Sequence, residues 1–119
     1  MTLSTPMLQF LERFLDVTTD RQKLITTNMA NIDTPGYKTE DINFRSELER
    51  LTTGEDGPAL GTVAHRVHGL LQRPDGNDVS LDRESMLLAE VQLQFRIGIQ
   101  FLRSEFQGLL HAINEGKNS

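Results

Sequence analysis

The sequence predicts a mainly α fold: long N- and C-terminal amphipathic helices packing as a helical pair or coiled coil, with a short irregular or partly disordered middle region. Three observations carry that expectation. Apolar residues recur at steps of three or four towards each end of the chain, breaker residues cluster between the two runs, and the middle is polar and aperiodic. The chain accordingly divides into residues 1–46, a first helix with its closing turn; 47–78, a flexible middle loop with room for a short strand; and 79–119, a last helix.

The first run extends from about Ser4 to Ile32. One track reads Leu8, Leu11, Leu15, Thr18, Gln22, Ile25, Met29, Ile32, and its neighbour reads Leu3, Met7, Phe10, Phe14, Val17, Arg21, Leu24, Asn28. Each is apolar at six of eight positions, which gives one broad apolar face on a long helix. Ser4 or Thr5 suits the N-cap, and Pro6 suits the first turn, where no backbone donor is needed. Pro35 pushes Thr34 out of helical geometry, so the helix stops near Asp33. Pro35 and Gly36 fit the central positions of a type II turn, with Gly36 supplying the positive φ.

In the middle, Thr52 to Pro58 (TTGEDGP) is dense in breakers, and a mobile segment is expected there. Gly61 to Leu71 leaves room for a short strand, although its alternation is poor. Arg73 to Asp78 (RPDGND) is a second dense turn signal.

The last run is the strongest pattern. Leu88, Val91, Phe95, Ile99, Leu102, Phe106, Leu109 and Ile113 form one unbroken apolar track, preceded by Asp82 and Glu84 where a helix N-terminus favours negative charge. A helix from Leu81 to Glu115 is roughly 50 Å long at ~1.5 Å per residue. Met86, Leu87, Leu93, Ile97, Phe101 and Leu110 lie off that track and widen the apolar surface beyond what one partner helix covers. A helix pair has a single interface, so neighbouring subunits are expected to supply much of the stability. Leu8, Leu11, Leu15 and Ile25, with the eight residues of the last track, are the expected assembly surface.

Composition narrows function. A formal charge of −5 and a pI near 5.1 argue against nucleic-acid partners, and no run is apolar enough to span a membrane. The absence of cysteine removes disulfides, zinc–thiolate sites and thiol catalysis. His65 and His68 have an i, i+3 spacing that can ligate a metal, but no fitting carboxylate accompanies them, and solvated histidines are the better reading. His111 stands alone in the last helix. Asp75-Gly76-Asn77-Asp78 has the composition of a calcium loop without its register, and a turn before a helix explains it better. No phosphate-binding, dinucleotide-binding, nucleophile-elbow or zinc-protease motif occurs. Catalysis has no home here, and no cofactor is called for.

One segment exceeds generic patterning. Asn28-Met29-Ala30-Asn31-Ile32-Asp33-Thr34-Pro35-Gly36-Tyr37-Lys38 closely resembles the N-x-A-N-x-x-T-P-G-Y-K signature of the flagellar rod and hook proteins, in which Asn28, Ala30, Asn31, Thr34, Pro35, Gly36 and Tyr37 form the motif turn. Asn28 and Asn31 can bond backbone groups freed at the helix end, and Tyr37 can pack its ring while exposing its hydroxyl. Asp41-Ile42-Asn43-Phe44 is similar to the family's acidic–apolar–x–Phe segment. Asp75 to Glu84 is similar to the D-G-N-x-V-x-L-x-x-E stretch before its last helix. Phe95, after Gln94, stands where the family carries a tyrosine.

The resemblance implies a structural subunit of the bacterial flagellar basal body, with length and short middle pointing to the proximal rod and another short rod subunit as nearest competitor. It implies self-assembly through the terminal helices, which line the export channel and transmit torque, in the periplasmic rod after passage through the flagellar type III apparatus. The implied partners are copies of itself, other rod proteins, the adaptor FliE, the MS ring and the export gate. Rival readings are a cytosolic helical adaptor or export chaperone, which would be a soluble dimer, and a small metal enzyme using His65 and His68.

Overall fold

The computed structural model describes residues 5–53 and 62–117. Five elements follow in order: α1 (Pro6–Ala30), β1 (Glu40–Ile42), α2 (Phe44–Thr53), β2 (Ala64–Arg66) and α3 (Leu81–Lys117). The two long helices dominate, as their apolar tracks require. No helix among the described residues is long and apolar enough to cross a membrane.

Thr5 caps α1, its hydroxyl accepting from the Leu8 N–H at 3.1 Å, and Pro6 occupies the first turn. The helix closes at Ala30, short of Asp33, because the Asn31 N–H bonds back to Thr27 and Asn28 carbonyls and the chain leaves in a turn. Asp82 and Glu84 sit in the first turn of α3, and that helix runs 37 residues without interruption. Asn28 of α1 meets Glu84 near the start of α3, and Leu15 meets Gly98 further along, so the two helices are antiparallel.

The apolar core is small. Ile25, Leu87 and Val91 form its centre with Met29 and Leu88 against it, while Leu11, Val17, Ile42 and Val79 are buried around it. Farther along, Gly98 leaves the gap that Leu15 and Phe14 fill: a β-carbon on it would lie 2.8 Å from Leu15 Cδ2. Beyond Gly98, no described residue of α3 is fully buried.

Between the long helices the described residues hold one short helix and a two-stranded sheet. Asn43 caps α2 by accepting from the Ser46 N–H at 3.0 Å, and Phe44 meets Phe14 edge-on at 5.3 Å between ring centres. Buried Glu47 anchors α2, accepting from Arg13 of α1, from Arg50, and from the Val63 N–H. The short strand expected within 61–71 is β2, antiparallel to β1 with Asp41 opposite His65. Of the segment expected to be mobile, Thr52 and Thr53 belong to α2, and residues 54–58 lie outside the described residues.

A candidate structural site where two turns interlock

The turn after α1 is built from its own side chains. Asn31 Nδ2 adds a second bond to the Thr27 carbonyl at the helix end, and its Oδ1 accepts from the Thr34 hydroxyl. The Tyr37 N–H closes on the Thr34 carbonyl at 3.2 Å, and Gly36 between them has φ of +76°, as the type II turn requires. The chain then runs back beside α1. Fully buried Asn28 holds this return: its Nδ2 donates to the Glu40 carbonyl at 2.8 Å, and its Oδ1 accepts from the Glu40 N–H and the Tyr37 hydroxyl. Two sequence expectations are corrected here. Asn28 bonds the returning strand and not the helix end, and the Tyr37 hydroxyl is bonded to Asn28 and not exposed as a free group. Burial first, then the charges of Glu40, Glu84 and Asp78, push the Tyr37 hydroxyl above its ordinary pKa.

The second turn, before α3, docks on the first. Gly76, at φ +86°, donates to the Arg73 carbonyl, and the Gly36 N–H donates to Asp75 across the junction at 2.9 Å. Asn77 is fully buried and uses both ends of its amide. Its Nδ2 bridges the Asn31 and Thr34 carbonyls at 2.9 Å each, while its Oδ1 accepts from the Val79 N–H at 2.8 Å. Arg73 donates to the Ile32 and Val79 carbonyls, and Lys38 to Gly76 and Gln72. Asp78 accepts from the backbone and hydroxyl of Thr39. Burial opposes the Asp78 charge, but these two bonds, with Lys38 and Arg66 nearby, hold its carboxyl below the usual range.

A charged layer ties both turns to the helices. Asp41 of β1 lies between Arg21 of α1, at 3.1 and 3.3 Å, and Arg83 of α3 at 3.1 Å. Arg83 also pairs with the fully buried Glu84 at 2.8 Å, and Glu84 accepts from Asn28 at 3.3 Å. Burial disfavours the Asp41 charge, yet the Arg21 bonds, the Ile42 N–H and Arg83 outweigh it and depress its pKa. These donors and acceptors are turned on one another, so the arrangement holds geometry.

Of the motif residues named from sequence, Asn28, Asn31, Thr34, Gly36 and Tyr37 meet in this interlock, whereas the side chains of Ala30 and Pro35 face outward. His65 lies in β2, His68 in the segment just after it and His111 in α3; all three are exposed, and among the described residues no group of three or more side chains could hold a metal ion. The apolar track splits along its length. Leu11, Ile25 and Val91 are buried and Leu8, Leu15, Leu88, Ile99, Leu102 and Leu109 half-buried, but Phe95, Phe106 and Ile113 stand exposed. A surface groove of about 760 Å³, lined by Phe95, Arg96, Ile99 and Arg103 among others, runs along this exposed part and away from the interlock. Sequence reasoning did not find the roles of Arg21, Thr39, Asp41, Asn77, Asp78, Arg83 and Glu84. The early signals were Arg21, a charge interrupting an apolar track, and the presence of Asp41 and of Asn77 to Glu84 in the two further segments that resemble the family.

No family model matches the chain. Among curated proteins it is similar to the flagellar basal body rod protein FlgB of Salmonella typhimurium, 31% identical over 129 residues that span 92% of this chain and 94% of that protein. Escherichia coli FlgB is 29% identical over the same shares of both chains. FlgB of Borreliella burgdorferi is 33% identical over 109 residues, 74% of this chain and 81% of its own length.

Proposed function

The chain belongs to the FlgB family of flagellar basal body rod proteins, and we propose that it is a structural subunit of the proximal rod that self-assembles through its terminal helices to transmit torque and line the export channel. One observation carries the self-assembly. The chain exposes 8161 Å², whereas a compact monomer of 13.4 kDa exposes about 6,500 Å². The surplus, about 1,700 Å², is roughly twice what one partner buries in a standard protein–protein interface, about 800 Å². Much of it is apolar and lies on α3, where Met86, Leu93 and Phe101 are each more than half exposed.

On this reading residues 1–46 and 79–119 form the rod core, and residues 47–78, with most of α2 and all of β2 among them, connect its helices. Leu8, Leu15 and the accessible residues of the track, Leu88, Phe95, Ile99, Leu102, Phe106, Leu109 and Ile113, pack the subunits, whereas Leu11, Ile25 and Val91 are already buried within the chain. The partners are copies of the chain, other rod proteins, FliE, the MS ring and the export gate. The location is the periplasmic rod, reached through the flagellar type III apparatus. No catalytic role is assigned.

The test is amide hydrogen exchange on the purified chain, alone and mixed with the other rod proteins of its bacterium. Exchange along Phe95–Ile113 that slows on mixing supports assembly through α3. Unchanged exchange, with a defined soluble dimer already present, moves the chain to an adaptor or chaperone role.

A further inference from the structure

The α1–α3 contact is made of apolar residues that recur each turn. Leu88, Val91, Phe95, Ile99 and Leu102 follow one another along α3, and Leu8, Leu11 and Leu15 along α1. A slip of one turn replaces apolar by apolar at most of these positions, so the stripes alone specify register weakly. The polar contacts do not repeat. Asn28 reaches Glu84, Asp41 is shared between Arg21 and Arg83, and Asn77 bridges Asn31 and Thr34.

We propose that this buried polar interlock is a register lock, which fixes how far α3 is advanced along α1. A slip of one turn moves α3 by about 5.4 Å, further than any of these hydrogen bonds reaches. It would part Asn28 from Glu84 and Arg83 from Asp41, and leave fully buried Asn77 without the Asn31 and Thr34 carbonyls. Fixing register is the best-attested use of a buried polar group between helices. The one steric rival is Gly98, whose gap receives Leu15 and Phe14. The lock also decides how far the exposed Leu93, Ile97 and Phe101 are advanced along α1. The inference concerns the lone chain and does not rest on its assembly.

The chain has no cysteine, so Glu12→Cys with Gln107→Cys, both exposed and outside the interlock, takes two spin labels only there. Interspin distances are measured by double electron–electron resonance on the full chain diluted in unlabelled chain. The otherwise native chain gives one maximum. Asn28→Leu keeps most of the helical ellipticity and adds a second maximum displaced by about 5 Å, one helical turn. A helical Asn28→Leu chain with one unshifted maximum overturns the proposal and gives the register to packing at Gly98. Should Asn28→Leu lose its helicity, Asp41→Asn decides in its place: a second maximum supports the lock, and a single unshifted one overturns it.

Discussion

Gly76 lies directly over Gly36: a β-carbon on Gly76 would sit 3.3 Å from the Gly36 α-carbon. Two turns 40 residues apart in sequence therefore meet through backbone with no side chain between them. Gly76 also has φ of +86°, a conformation costly for any residue with a β-carbon. Gly76→Ala is expected to lower stability by about 1–3 kcal/mol, read from urea unfolding. Gly116→Ala, which meets nothing at its β-position, is the control and should not destabilise.

Asn77 makes the most connections in the second turn. Asn77→Ala removes the donor to two carbonyls and the acceptor for the Val79 N–H. A loss of about 2–4 kcal/mol is expected, since buried groups left unpaired cost ~1–3 kcal/mol each and water reaches some of them. Chemical denaturation measures it. A loss below that of an ordinary surface substitution would remove Asn77 from the interlock.

Gly98 poses a question of size. Ala at this position gains helix propensity of ~1 kcal/mol but approaches the tips of Leu15 and Phe14, which can turn aside. Gly98→Ala should therefore change stability by less than about 1 kcal/mol, whereas Gly98→Val should cost about 1–3 kcal/mol through overpacking. Thermal unfolding of both variants separates the two terms.

Stability should fall in acid. Asp41 and Asp78 have carboxyls depressed by their partners in the folded chain. Their contribution is fully present above the ordinary carboxyl pKa, about 4, and disappears as pH falls through the lowered folded values. Tyr37 has the opposite sign. Its raised pKa favours the neutral phenol, so its contribution holds below about pH 10 and is lost as pH rises towards the folded value. Urea midpoints from pH 2 to 8 test the acid limb, which Asp41→Asn should flatten.

Phe101→Asp and Leu93→Asp place charge on exposed apolar positions of α3. The lone chain should keep its stability within about 0.5 kcal/mol and fail to join other rod proteins in sedimentation. A variant that still co-sediments fully would show that this flank of α3 is not an assembly surface.

How far the sequence could be read follows from what each residue signals by itself. The eight-position track from Leu88 to Ile113 announces α3, and Thr34-Pro35-Gly36 announces its turn, because periodicity and proline sterics act locally. Helix α2 gave no comparable sign. Phe44, Leu48 and Leu51 are its apolar residues among ten, and its anchoring comes from Glu47, which reads in sequence as one more solvated acid. The same blindness covers the interlock. Asp41 finds Arg21 across 20 positions and Arg83 across 42, so only the closed fold makes their charges partners. Strands of three residues carry too little alternation to register, and β1 passed unnoticed for that reason.

The helices differ in length, 25 residues against 37. Counting from the Leu15–Gly98 contact, α1 begins about level with residue 107, and α3 runs on for another ~15 Å by itself. Mechanically the molecule is a beam that is doubled along the ~38 Å of α1 and single at one end. Bending compliance concentrates where the doubling stops, near Gln107 and Gly108. Whatever lies beside the final turns of α3 therefore governs how far that end bends.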